Sequence, residues 1–299
     1  MSKLDPILLF RTLCRDIPED LRRDVFVTGS LAAAYAFRVR LQGQAVNTKD
    51  ADLLVHPAGN VTSARDMAER LMKLGWRPTD QCKPFPEQPA DPARLWAVRL
   101  TPPASNEYFI EFLNVPVEEQ QPLKRWIPVQ INGGWYGLPS FKFMGLLAWF
   151  RRKSDEGLEY AAPEMMALAN LLSHPAVTDI EIESGEFRGI RRCAKDLGRV
   201  LALAHLAGRD ETETWIEHWL AGLAGSFPQT WRDHARRAGA GLRDMLADDD
   251  VMEQARKTTE SGLLSGMGID VAALRGIAER LLVDAIEPLE QRAVSRTAP

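Results

Sequence analysis

Phe26-Val27-Thr28-Gly29-Ser30-Leu31-Ala32-Ala33-Ala34-Tyr35-Ala36-Phe37 is the stretch on which the reading of the chain turns. Val25-Phe26-Val27 is a short apolar run with the signature of a buried strand, and it stops at Thr28-Gly29-Ser30. An alanine-rich helical segment follows, from Leu31 to about Arg40. Glycine at a strand-to-helix junction lets the backbone approach a ligand closely. The first helical turn offers N–H groups without partners at the positive end of the dipole. Ser30 adds a hydroxyl suited to a phosphate oxygen. The plainer reading, an ordinary helix cap, fits the same residues.

Two acidic stretches decide between these readings. Asp50-Ala51-Asp52 leads into Leu53-Leu54-Val55, which reads as a strand. Residues i and i+2 of a strand share a face, so the two carboxylates repel unless a cation lies between them. A pair of carboxylates on one face is a ligand set suited to Mg²⁺, and two-metal phosphoryl-transfer sites use it. A solvated strand entrance, with Asp50 closing a turn, is the alternative. Farther on, Glu111 sits in Tyr108-Phe109-Ile110-Glu111-Phe112-Leu113-Asn114-Val115, apolar on both alternating faces. Such a strand is covered on both sides. An unpaired carboxylate there is costly, so Glu111 must be ion-paired, protonated, metal-bound or at the open end of the strand.

Gly-Ser at a helix start, Asp-x-Asp on a strand and an acid on a later strand follow in the order of the nucleotidyltransferase fold. The stretch from Phe26 to Phe37, with Asn47-Thr48-Lys49-Asp50-Ala51-Asp52-Leu53-Leu54, resembles the nucleotidyltransferase superfamily related to DNA polymerase β. Within it, Thr48-x-Asp50-x-Asp52-Leu53 and a helical C-terminal half are most similar to the AbiEii and MenT type, toxin components of bacterial toxin–antitoxin and phage-defence systems. The close similarity spans about residues 25–56 and 108–115.

The resemblance implies a nucleoside triphosphate held by Gly29 and Ser30 and two Mg²⁺ ions held by Asp50 and Asp52. Glu111 takes the place of the third carboxylate, as metal ligand or base, where the family has Asp more often. The family's phosphate-binding lysine would fall near Gly145-Leu146; the resemblance implies that Lys142, one turn earlier, takes its place in binding the nucleotide, and Arg151, Arg152 and Lys153 lie at the far end. The implied reaction moves a nucleoside monophosphate from the triphosphate to an acceptor hydroxyl, with release of pyrophosphate. By the subgroup resemblance the acceptor is the 3′ end of tRNA, the outcome a block of translation, and a neutralising antitoxin a further partner. Two other readings stand beside it: a nucleotidyltransferase that modifies a protein or a small molecule, and an inactive module that senses nucleotides or binds a partner.

The rest of the chain sets the frame. Its 299 residues, 45% apolar and 26% charged, have the composition of an ordinary globular protein of about two domains. A net charge of −4 excludes a global basic field, and neither half is polybasic: residues 1–140 carry 17 Lys+Arg against 16 Asp+Glu, residues 141–299 carry 20 against 25. No apolar run approaches a membrane span, and the start lacks the pattern of a secretory signal, so a cytoplasmic location is expected. Cys14, Cys82 and Cys193 are too scattered for a disulfide framework or a cysteine-based zinc site.

The expected architecture is an α/β nucleotidyltransferase domain over 1–140, a mixed sheet flanked by helices. An all-α domain over 141–290, for substrate or partner binding, and a disordered tail over 291–299 follow. Helices are predicted over Pro6–Arg15 and Ser63–Leu74, strands over Trp96–Leu100 and Tyr108–Val115, and a hairpin around Asn132-Gly133-Gly134. Beyond Pro139 the periodicity predicts helices over 140–153, 162–173, 187–206, 211–223, 228–247 and 270–285, with a weaker signal near 250–260. On the third of these, Arg188, Arg191, Arg192, Lys195 and Arg199 project within about 100° of arc, opposite an apolar stripe. Such a stripe suits an RNA backbone; a solvated face with local ion pairs is the alternative. The five histidines show no ligand spacing, and Trp215 and Trp219 read as core.

Overall fold

The computed structural model describes residues 4–42, 48, 50–103, 105–173, 180–183 and 187–294. Gly43, Asn47 and Lys49 lie outside the described residues. Asp5 starts the first helix, α1 (Pro6–Asp16), by accepting hydrogen bonds from the Ile7 and Leu8 amides, and Pro6 fills a position that needs no N–H. Its Leu9 and Leu13, with Ile17 beyond its end, are buried as their spacing predicts. All four residues of β1 (Val25–Thr28) are buried, and the chain turns at once into α2 (Gly29–Ala36). That helix stops at Ala36, short of the expected Arg40, and the chain continues in turns. β2 (Asp50–Val55) and α3 (Val61–Lys73) follow, then the short strands β3 (Arg77–Pro78) and β4 (Arg99–Thr101), and β5 (Phe109–Asn114). β6 (Lys124–Ile131) and β7 (Gly134–Phe141) pair as a separate two-stranded ribbon across the Asn132-Gly133 turn. Both turn residues have positive φ, +48° and +80°, which suits Asn-Gly.

Past Phe141 the chain departs from the expected helix over 140–153. Lys142–Ala148 is a 3₁₀ segment, followed by β8 (Arg152–Lys153) and β9 (Glu159–Tyr160). Phe143, Leu146 and Leu147 are its buried side chains, and their spacing fits a three-residue repeat as well as an α-helix. The two last strands return to the main sheet, a mixed seven-stranded layer in the order β3-β4-β5-β2-β1-β9-β8. β1 is antiparallel to β2 and parallel to β9; β2 is parallel to β5. The chain divides into two compact units, the first ending at Ala162 and the second starting at Pro163. The division falls later than the expected 140 because Phe26 and Val27 of β1 pair with Glu159 and Tyr160, and the Ala161 N–H donates to Val27.

In the second unit the described elements are α4 (Pro163–Ser173), α5 (Arg192–Ala207), α6 (Arg209–Ser226), α7 (Trp231–Arg237), α8 (Ala240–Leu246), α9 (Asp249–Ser261), α10 (Val271–Leu281), a π-helical turn (Leu282–Ile286) and α11 (Glu287–Val294). An isolated bridge joins Glu181 to Arg191. The helix expected over 187–206 starts only at Arg192. The one expected over 228–247 is broken at Ala238-Gly239, where a Cβ on Gly239 would press on Ile286 and Glu290. The weak signal near 250–260 is a full helix, capped by Asp248. Residues 291–294 continue α11, contrary to the tail expected from 291; residues 295–299 lie outside the described residues. Trp215 and Trp219 are buried, and Trp219 Nε1 donates to the Glu164 carbonyl. Among the described residues no helix is long and apolar enough to cross a membrane.

Candidate functional site

The pairing register of the sheet brings the residues of interest together. Thr28 on β1 opposes Asp52 on β2, Asp52 opposes Glu111 on β5, and Glu111 opposes Arg99 on β4. Directly opposed residues share a face, so one row crosses four strands, and Asp50 lies two residues before Asp52 on that face. Gly29, the first residue of α2, has φ +72°, and a Cβ there would collide with Asp52 Oδ2. The helix start and the second aspartate are therefore in van der Waals contact, which only a glycine allows. Ser30 follows in the first turn of the same helix.

The three acids differ in surroundings. Asp50 is exposed and accepts a 2.7 Å hydrogen bond from the Thr48 hydroxyl; Asp52 is half-buried. The Glu111 side chain is 13% exposed, and its Oε2 accepts a 2.7 Å hydrogen bond from Arg99 Nε. The Arg99 guanidinium also lies 5.4 Å from the centre of the Phe109 ring. Of the states open to a carboxylate on this strand, Glu111 is ion-paired. Arg99 was missed by sequence reasoning. It lies in the stretch read as a strand over Trp96–Leu100, but only the antiparallel register reveals that it faces Glu111. Among the described residues no group of three or more His, Cys, Asp or Glu closes on a common point: Asp50 and Asp52 stand as a pair, and Glu111 is held by Arg99.

Lys142 is not brought to the acids by any hydrogen bond or ion pair among the described residues. It opens the 3₁₀ segment, and its ammonium lies 5.8 Å from the Phe143 ring. The basic stripe is broken up as well. Arg188 is exposed in a turn before α5 rather than on it. Arg191 is the helix cap; its guanidinium lies 3.1 Å from Asp248 and 3.7 Å from Asp250, and its amide donates to Gln254. The hydrogen bond to Asp248 raises the Arg191 pKa. The Val251 amide, and then Arg191, hold Asp248 below the usual carboxylate range. Arg192 is exposed and 3.9 Å from Asp196, whereas Lys195, 5.2 Å from the Phe187 ring, and Arg199 are half-buried. α5 is buried around most of its circumference, so it presents no continuous exposed basic face. The cause is tertiary: the bridge to Glu181 and the acidic cap of α9 hold Arg191, and the residues just before it form a turn.

All three cysteines are free and buried, and burial raises the Cys82 and Cys193 thiols, which leaves them poor nucleophiles at neutral pH. Burial, reinforced by Arg151, lowers the His56 pKa. Comparisons with protein-family models, curated proteins and solved structures found no match to this chain.

Proposed function

We propose that the unit ending at Ala162 is a metal-dependent nucleotidyltransferase. The observation that carries this reading is the contact between Gly29, at the start of α2, and Asp52, in a strand row shared with Thr28 and Glu111. A helix N-terminus beside paired carboxylates is a sensible place for a polyphosphate only if cations screen the acids. The two aspartates fit that need: both are oxygen donors on one face, one exposed and one half-buried. Glu111 can join them only by sharing or leaving Arg99. Divalent cations bound there would neutralise triphosphate oxygens and lower the pKa of an acceptor hydroxyl. Gly29 and the first amides of α2 would seat the phosphates, and Ser30 would donate to one of them. The acceptor oxygen would then bond to the α-phosphorus, the bond to the bridging oxygen would break, and pyrophosphate would leave. The hydroxyl proton would pass to the acid row.

Within this proposal the first unit has the nucleotidyltransferase fold and the helices from Pro163 onward form an all-α acceptor or partner domain. The acceptor is RNA, by subgroup resemblance the tRNA 3′ end, in a toxin or defence setting. With Arg191 and Arg192 beside acids, the RNA step rests on the resemblance. Incubation with each α-³²P-labelled NTP, Mg²⁺ and total RNA tests it. Label on RNA is expected, and its loss in Asp50→Ala and Asp52→Ala. Label confined to a protein band would sink the RNA acceptor, and near-wild-type turnover in both variants would show that the site is misplaced.

The Arg99–Glu111 ion pair favours a second reading, an inactive module that binds nucleotides without transferring them. Glu111→Gln separates the two. In an enzyme it abolishes transfer; in a binding module it leaves nucleotide affinity intact and lowers the melting temperature.

A further inference from the structure

The geometry points to Trp149 and Phe150 as a stacking platform for a nucleobase, at the end of the sheet that carries Gly29 and Asp52. The inference rests on the nucleotidyltransferase reading and adds to it the place of the base. Both residues are more than one-third exposed, at 37% and 39%, and their ring centres lie 6.3 Å apart with the planes tilted by 47°.

The backbone that presents them is unusual. The Trp149 N–H donates to Leu146 and closes the 3₁₀ segment, after which Phe150 takes φ +55°. A bulky residue in the left-handed region is an outlier, held only where surrounding structure enforces it, and such residues gather at ligand sites.

Register fixes where the platform lies. β9 runs parallel to β1, and Tyr160 is level with Val27; β8 is antiparallel to β9, and Arg152 is level with Tyr160. The start of β8 therefore lies at the same end of the sheet as the end of β1, where Gly29 begins α2. β8 is two strand spacings from β1, roughly 10 Å, and Phe150 precedes its first residue by two positions. A nucleotide with its phosphates at Gly29 and Ser30 could reach that distance with its base. The end base of an acceptor strand could occupy the same platform. Arg151 does not compete for the ligand: its guanidinium turns inward, 5.2 Å from the Phe26 ring and 3.2 Å from Glu159. Arg152 and Lys153 follow on β8, and Lys153 is exposed. Aromatic rings beside cations are the sequence-tolerant means of holding single nucleotides.

Two binding comparisons on the full-length protein, each with one probe lacking a base, test the inference. The first sets ATP against ribose 5-triphosphate in Mg²⁺. The second sets a short oligoribonucleotide against the same strand with an abasic 3′ end. Wild-type protein should prefer the base-bearing member of at least one pair by about 5- to 150-fold. Trp149→Ala and Phe150→Gly should erase that preference while leaving the base-less probes unchanged, and Phe150→Tyr should keep it. Phe150→Gly is the safer variant for folding, because glycine adopts this φ without strain. Loss in the first pair assigns the platform to the incoming nucleotide, loss in the second to the acceptor. A preference that survives both variants, or no preference in either pair, overturns the platform. Failure of both triphosphates to bind refutes the phosphate site at Gly29 instead, and the oligonucleotide pair still decides the platform.

Discussion

Gly29 shows how one missing side chain lets a helix start meet a neighbouring strand. Its φ of +72° suits glycine, and the space a Cβ would need is filled by Asp52 Oδ2. Gly29→Ala should therefore cost about 1 kcal/mol for the backbone alone, and more for the collision. In the background of Asp52→Ala the collision disappears and only the conformational cost should remain. Urea unfolding of the two single variants and the double variant measures that coupling without recourse to activity. Additive costs would mean that the two residues do not touch. His56 gives a second residue-scale expectation. Burial, with help from Arg151, holds its pKa below the ordinary 6.5 in the folded chain. The unfolded chain therefore binds a proton that the folded chain resists, and stability falls as pH drops from about 6.5 toward the folded value. Melting temperatures at pH 7.5 and 5.5 should show a smaller loss in His56→Gln than in the wild type; equal losses would assign the pH sensitivity to other groups.

At the scale of an element, the β6–β7 hairpin separates conformational from steric cost at neighbouring positions. Gly133 has φ +80° with open space where a Cβ would go, whereas a Cβ on Gly134 would approach Pro84 Cβ to 2.5 Å. Gly133→Ala should cost about 1 kcal/mol through backbone strain alone. Gly134→Ala should cost on the order of 1–3 kcal/mol through overpacking. Chemical denaturation of both variants reads the difference, and the reverse order would mean that the loop around Pro84 gives way freely. The same hairpin explains the misplaced helix over 140–153. Ladder partners at Lys124 and Arg125 keep the chain extended to Phe141, and helical periodicity in the following residues is spent on a short 3₁₀ segment.

For the whole molecule, the consequential feature is that β8 and β9 complete the sheet from beyond the hairpin. A fragment 1–162 includes every strand that flanks β1, whereas 1–140 leaves one side of β1 without its ladder partners Glu159 and Tyr160. An unpaired, fully buried strand is costly and prone to associate. The longer fragment should unfold in a single cooperative transition and stay monomeric, and the shorter one should aggregate or unfold without cooperativity. Circular dichroism melts and size-exclusion chromatography distinguish these outcomes. Cooperative, monomeric behaviour of 1–140 would place the division where the change in periodicity alone suggests.

Local chemistry was legible in the residues themselves. The buried run at Val25–Val27, the helix opening at Pro6, the Asn132-Gly133 turn and the alternation around Asp50 and Asp52 each depend on neighbours a few positions away, so the sequence alone determines them. The need of Glu111 for a partner was also readable, because an isolated carboxylate on a doubly apolar strand is too costly. Which partner it takes was not: Arg99 meets it only through an antiparallel register between strands separated by a turn. The contact of Gly29 with Asp52, the two short strands that extend the sheet past β1, and the dispersal of the basic stripe likewise depend on long-range pairing. Two-residue strands carry too little periodicity to be seen in advance, and a helical projection cannot show that Arg188 and Arg191 lie before the first turn of α5. Tertiary structure decided these points because register and ion pairing are set by which distant segments meet, and the spacing of residues along one segment does not record that.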